Sequence, residues 1–121
     1  MDGILLCMDV KKKKYSYSAA HNKPIVISKG AIVEYHADKM PIGIGIREEE
    51  FSNNDLPLKK GDILYMYTDG YADQFGGPKG KKFKYKNLNE LILKNSHLPM
   101  TEQKEIISKT FDDWKGTLEQ I

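Results

Sequence analysis

Apolar residues come in short bursts along the first two-thirds of the chain and at helical spacing along the last third. Residues 4–10 (ILLCMDV) form a nearly continuous apolar run, the pattern of a strand buried on both faces. Residues 15–20 (YSYSAA) alternate aromatic with small, the period of a half-buried strand. Two further runs, 25–27 (IVI) and 32–35 (IVEY), flank Ser28-Lys29-Gly30-Ala31, which predicts a compact hairpin with Gly30 at a positive φ. Residues 41–46 (PIGIGI) are apolar but broken by glycine, which predicts a tight loop or bulged strand. Residues 47–58 are polar and contain a proline, the pattern of a short edge strand with a turn. Residues 63–67 (ILYMY) are the clearest prospective central strand, and Thr68-Asp69-Gly70 ends them sharply.

Residues 71–85 then carry Gly76, Gly77 and Gly80, which predicts a flexible loop, not a packed element. Helical spacing follows. Asn87, with Glu90 three residues on, is a variant capping box, and Leu88, Leu91 and Ile92 make one apolar stripe. After a break containing Pro99, Ile107, Phe111, Trp114 and Leu118 recur on one face of a second helix, with Gly116 near its end. Strands followed by helices indicate an α+β class, with strands over about 3–68, a Gly/Lys-rich loop over about 70–86 and helices over about 88–95 and 101–116. The 121 residues fit one domain with a real core.

Composition narrows the function. With 30% charged and 40% hydrophobic residues, the chain is an ordinary globular sequence. A net charge of +2 is too small for a dedicated nucleic-acid binder, and Arg47 is the only arginine. Bidentate reading of phosphate or guanine is therefore largely excluded. The single cysteine, Cys7, rules out an internal disulfide and points to a reducing, cytoplasmic setting. No apolar run approaches the roughly 20 residues of a membrane span.

Asp69 is the most informative polar residue. A carboxylate at the end of an apolar strand projects from a rigid edge, and Gly70 lets a ligand approach the backbone. Mg²⁺ and Mn²⁺ take such oxygen ligands. Taken alone, Asp-Gly is more often a plain turn. His21 and Asn22 lie on a loop before Pro24, where His21 serves as an acid/base or phosphate contact or simply bonds to backbone, the blander reading being favoured. His36 and His97 have no partner spacing and read as surface residues. Lysines 11–14 read as a solvated tip. Lys79, Lys81, Lys82, Lys84 and Lys86, interleaved with Phe83 and Tyr85, divide evenly between a solvated loop and a landing strip for phosphate, an acidic partner or single-stranded nucleic acid. Gly43-Ile44-Gly45 lacks the third glycine and following helix of a dinucleotide site, and no Walker A or nucleophile elbow occurs.

Several segments, in order, resemble the C-terminal half of the stage II sporulation protein E type of serine phosphatase domain, a bacterial branch of the metal-dependent (type 2C) protein phosphatases. They are Asp2-Gly3-Ile4-Leu5-Leu6-Cys7, Ala19-Ala20-His21-Asn22-Lys23-Pro24, Met40-Pro41-Ile42-Gly43-Ile44, and the stretch 61–77 around Tyr67-Thr68-Asp69-Gly70. The segment Phe111-Asp112-Asp113-Trp114-Lys115-Gly116 continues the match. The resemblance implies a partial antiparallel β-sandwich with two C-terminal helices packed outside. It implies two Mn²⁺ or Mg²⁺ ions, roughly 3.5–4 Å apart, activating a water against phosphoserine or phosphothreonine. It implies Asp69 as a metal ligand with Gly70 as its backbone neighbour, and places the loops of His21, Asn22, Gly76, Gly77 and Lys79 near substrate. No catalytic acid or base is assigned. The implied partner is a phosphorylated signalling protein such as an anti-sigma-factor antagonist, and the implied setting is the cytoplasmic part of a larger sensor.

The departures shape the expectation. The family's Asp near Gly-His-Gly, which bridges both ions, does not occur in this sequence. The closing Asp-Asp pair would come next after Gln120-Ile121, which end the chain, and Asp112-Asp113 sits inside a helical stripe. The sequence therefore reads as a fragment of a single domain, cut at both ends. Such a fragment is expected to lack tight dinuclear metal binding and activity of its own, and to cover its exposed sheet by forming a homodimer or exchanging a strand. The competing reading is a non-catalytic protein-binding module with a decayed phosphatase fold.

Overall fold

A computed structural model describes residues 1–43 and 50–118. Among them the strands are β1 (Gly3–Asp9), β2 (Lys14–Ala20), β3 (Ile25–Ser28), β4 (Ala31–Glu34), β5 (Asn54–Asp55), β6 (Ile63–Tyr65), β7 (Phe75–Gly76) and β8 (Lys81–Lys82). The helices are α1 (Tyr85–Asn95) and α2 (Met100–Lys115). This is the α+β class expected, with antiparallel sheets and two helices. The chain divides into two compact units, Met1–Thr68 and Asp69–Ile121.

The first unit holds two three-stranded sheets, β1-β2-β5 and β4-β3-β6. Its core joins residues of both: Tyr17 and Ala19 from β2, Val26 from β3, with Ala37 and Leu56, and Ile4, Leu6 and Leu64 packed around them. Tyr17 and Tyr35 meet edge to face at 6.1 Å, and Tyr17 Oη donates to the His36 carbonyl at 2.8 Å, so the ring is buried without stranding its hydroxyl. The β3–β4 hairpin forms as predicted. Ser28 pairs with Ala31, and Lys29 (φ 50°) and Gly30 (φ 75°) both take the left-handed conformation of a two-residue primed turn.

One strand expectation needs correction. The run at 4–10 is not buried on both faces. Outermost among the described strands of its sheet, β1 leaves Leu5 (73%) and Met8 (60%) exposed, and Cys7 is exposed as well. Within the run at 63–67, Ile63–Tyr65 forms β6 and pairs with β3 among the described residues. Ile25, Val26 and Ile27 of β3 lie between β4 and β6, and their burial to 0–5% exposure contributes about 1.5–3 kcal/mol per side chain. The expected edge strand within 47–58 is β5, paired to β2. The glycine-broken run at 41–46 lies largely outside the described residues, as do Ile44, Gly45, Arg47 and Gln120.

The second unit corrects the expectation of a flexible loop over 71–85. That segment is packed. Ala72, Gln74 and Phe83 are buried, and β7 and β8 form a short antiparallel ribbon. Phe83 N–H donates to the Gln74 carbonyl at 3.0 Å, and Lys84 N–H to the Ala72 carbonyl at 2.8 Å. Aromatic rings tie the segment to α2. Tyr71 lies 5.2 Å from Phe83 and 4.9 Å from Phe111, and Phe83 stands edge-on to Trp114 at 5.3 Å. The predicted stripe on α2 is thus real at Phe111 and Trp114. Leu118 falls beyond the helix and is 45% exposed. Gly116 (φ 57°) ends α2, donating to the Asp112 carbonyl at 2.9 Å.

Asn87 is not the cap of α1. The helix begins two residues earlier, after Lys84 (φ 76°), with no side-chain cap and hence no capping box with Glu90. Asn87 instead donates Nδ2 to the Phe83 carbonyl at 2.6 Å, back over the turn that Lys84 makes.

Candidate functional site

Asp69 opens the second unit, directly after the segment that follows β6. Its side chain is exposed, and its carbonyl accepts the Asp73 amide at 2.8 Å, which closes the turn and fixes where the carboxylate starts. Asp73 is turned toward the ribbon, with Lys82 Nζ at 3.6 Å. Among the described residues, no three His, Cys, Asp or Glu side chains gather closely enough to hold a metal ion. One exposed carboxylate cannot displace the hydration of two hard cations. The described residues therefore do not fit a complete two-metal centre, and Asp69 could supply only one ligand to it.

His21 and Asn22 lie in the first unit. His21 takes a positive φ of 63°, uncommon for a residue with a side chain. Two bonds hold it there: its amide donates to the Asp38 carbonyl at 2.9 Å, and Nδ1 faces Asp2 Oδ1 at 2.8 Å. The expectation of a ring bonded to backbone is corrected, since the partner is a carboxylate 19 residues away. Asn22 N–H donates to the Ala20 carbonyl at 2.8 Å.

His36 also has a partner that spacing did not reveal. Its Nε2 lies 3.2 Å from Asp38 Oδ1. Asp38 also accepts the Ser52 amide at 2.7 Å and the Ser52 hydroxyl at 3.0 Å. These bonds, led by the Ser52 amide, hold the Asp38 carboxyl below its usual range against the opposing effect of burial. His97 is exposed, as expected. Tyr71 was not singled out by the sequence. Its hydroxyl donates to the Ile107 carbonyl at 2.7 Å, and burial, with Asp112 nearby, pushes its pKa up to about 12.

Gly76 and Gly77 sit against Trp114. A Cβ on Gly76 would overlap the Trp114 carbonyl, and one on Gly77 would come within 2.5 Å of the indole ring. Gly77 N–H donates to the Trp114 carbonyl at 2.9 Å. Packing against α2 accounts for both glycines. Lys79 lies on the exposed turn of the ribbon.

The antiparallel sheets and two helices are those of a PP2C-type phosphatase domain. Residues 2–119 match the family Stage II sporulation protein E (SpoIIE), and the chain belongs to that family. The SiaA-PP2C domain of Pseudomonas aeruginosa aligns with a TM-score of 0.85 at 25% identity, over 98% of this chain and 46% of that one. The phosphatase domain of the cell-fate determinant SpoIIE from Bacillus subtilis, in a manganese-presoaked form, aligns with a TM-score of 0.63 at 18% identity, over 100% of this chain and 52% of that one. The chain thus spans about half the length of these solved domains. No curated protein matches it by sequence. Among the described residues, no helix is long and apolar enough to cross a membrane.

Proposed function

We propose that this chain is part of a metal-dependent protein serine/threonine phosphatase acting on a phosphorylated signalling protein of bacteria. The observation that carries this is the family match over residues 2–119, with the Thr68-Asp69-Gly70 motif inside it. In this reading Asp69 contributes one carboxylate to a Mn²⁺ or Mg²⁺ centre. The remaining ligands come from outside the described residues.

Paramagnetic Mn²⁺ tests the assignment without turnover. Titrated into the ¹⁵N-labelled chain, it should broaden the amide signals of Asp69 and Gly70 first, and Asp69→Asn should abolish that broadening. Broadening centred elsewhere, or none at millimolar Mn²⁺, overturns the assignment and favours the non-catalytic binding module. Hydrolysis of a phosphoserine peptide by the chain alone, dependent on manganese and lost in Asp69→Ala, would show that it holds a complete centre.

A further inference from the structure

We infer that the β7–β8 ribbon and the start of α1 form a docking surface for an acidic segment of a partner protein. Lys79, Lys81, Lys82, Lys84 and Lys86 are all exposed. No aspartate or glutamate occurs from Gln74 through Asn89. Five positive charges within eight residues exceed the +2 of the whole chain, so the rest of the chain is net acidic. The first turn of α1 also lacks an acidic residue, so the positive end of its dipole adds to the lysines.

The fold presents these lysines rigidly. Phe83 is buried between Tyr71 and Trp114, and the amides of Phe83 and Lys84 are bonded to the Gln74 and Ala72 carbonyls. Pinning residue 83 inward holds the lysines around it outward on a packed ribbon, which reduces the ordering cost of binding. Among the described residues Asp73 partly offsets Lys82, and at 3.6 Å on an exposed pair that attraction is weak.

The chemistry favours an acidic polypeptide over single-stranded nucleic acid. Stacking needs open aromatic faces. Phe83 is buried and the Phe75 ring carries Lys82 Nζ at 5.9 Å from its centroid, which leaves Tyr85 as the single exposed ring among the lysines, too few for successive bases. No arginine lies in the second unit to supply planar phosphate contacts. Lysines act as point charges that match flexible carboxylates. The inference stands apart from the phosphatase reading, because binding is measured without catalysis.

The test titrates the ¹⁵N-labelled chain with a peptide rich in Asp and Glu at low salt. Shift changes are expected to map to 79–86, and affinity to fall steeply with salt. Lys79→Glu, Lys81→Glu and Lys86→Glu together should weaken binding at least about tenfold. These positions spare Lys82, with its Asp73 contact, and Lys84, with its constrained backbone. The same charge change at Lys11, Lys12 and Lys13 should weaken binding less than about threefold, a net-charge effect only. Equal losses from the two triple variants would overturn the inference. So would shift changes that avoid 79–86, or tighter binding by a single-stranded oligonucleotide of matched charge. Because the shift map uses the unaltered chain, a triple variant that fails to fold does not shield the inference.

Discussion

Trp114 and Gly76 occupy adjoining space in the second unit so closely that the Trp114 carbonyl fills the place a Cβ on Gly76 would take. The indole Nε1 donates to the Gln74 carbonyl at 2.8 Å, so helix and ribbon are stitched on both sides of this glycine. The obstruction is backbone, which cannot swing aside. We therefore expect Gly76→Ala to destabilise the unit by about 3 kcal/mol, the upper end of ordinary overpacking costs. Trp114 is the only tryptophan, so its emission during urea unfolding reads this packing directly. A midpoint unchanged from the parent chain would show that α2 can withdraw from the ribbon at no cost.

Gly30 is a glycine for a different reason. Its φ is 75°, and a Cβ there would meet nothing within 4 Å. Only backbone strain opposes a side chain. Gly30→Ala should cost about 1–2 kcal/mol, and Gly30→Asn less, because asparagine tolerates the left-handed region. Amide exchange across the β3–β4 pairs should quicken in that order. A greater loss with asparagine than with alanine would contradict the turn geometry.

Tyr71 should give the second unit an alkaline weakness. Its folded-state pKa is raised from 10 to about 12 by burial, while its hydroxyl donates to the Ile107 carbonyl. The folded state keeps the proton more tightly than the unfolded state does. The stabilisation is therefore full below pH 10 and is lost as pH rises toward about 12. Tyr71→Phe should be less stable at neutral pH by about 1 kcal/mol, the ordinary worth of one hydrogen bond. Above pH 10 the gap between the two proteins should close. Unfolding followed by Trp114 emission at several pH values checks this, and a gap that stays constant from pH 8 to 12 would refute it.

Features set by neighbours in sequence were readable without a structure, and those set by distant contacts were not. The primed turn at Lys29-Gly30 and the Phe111/Trp114 face follow from local rules, and both stand. The ribbon at 75–82 was missed because glycines and lysines outnumber its apolar residues. Its order comes from one buried ring, Phe83, meeting a helix about thirty residues away. Asn87 resembled a cap, but Lys84 breaks the chain direction first, at a φ that its residue type does not foretell. Among the described strands β3 pairs on both edges, a place its four residues do not announce by length. The expectation for Asp69 rests on the strand that precedes it, whereas the pairs His21–Asp2 and His36–Asp38 depend on how the loops fold back.

Asp38 should make the first unit acid-sensitive. Its carboxylate is bonded by the Ser52 amide and hydroxyl and faces His36, and these contacts, the Ser52 amide foremost, lower its folded-state pKa from 3.8. The folded state thus holds the charge more strongly than the unfolded chain does. The stabilisation is present above pH 3.8 and disappears as pH falls through the lower folded value. Asp62 behaves in the same sense, held down by the Ser28 hydroxyl and the Lys59 amide, so two carboxylates lose their contribution in one acid window. Asp38→Asn removes one of them. It should weaken the unit at pH 7 and flatten its stability between pH 4 and 2 relative to the parent chain. Far-UV circular dichroism with urea at each pH, supported by the amide signals of residues 36–38 and 52, measures both effects. If the parent chain and Asp38→Asn lose stability in parallel below pH 4, the Ser52 contacts do not persist in solution, and acid lability must come from Asp62 instead.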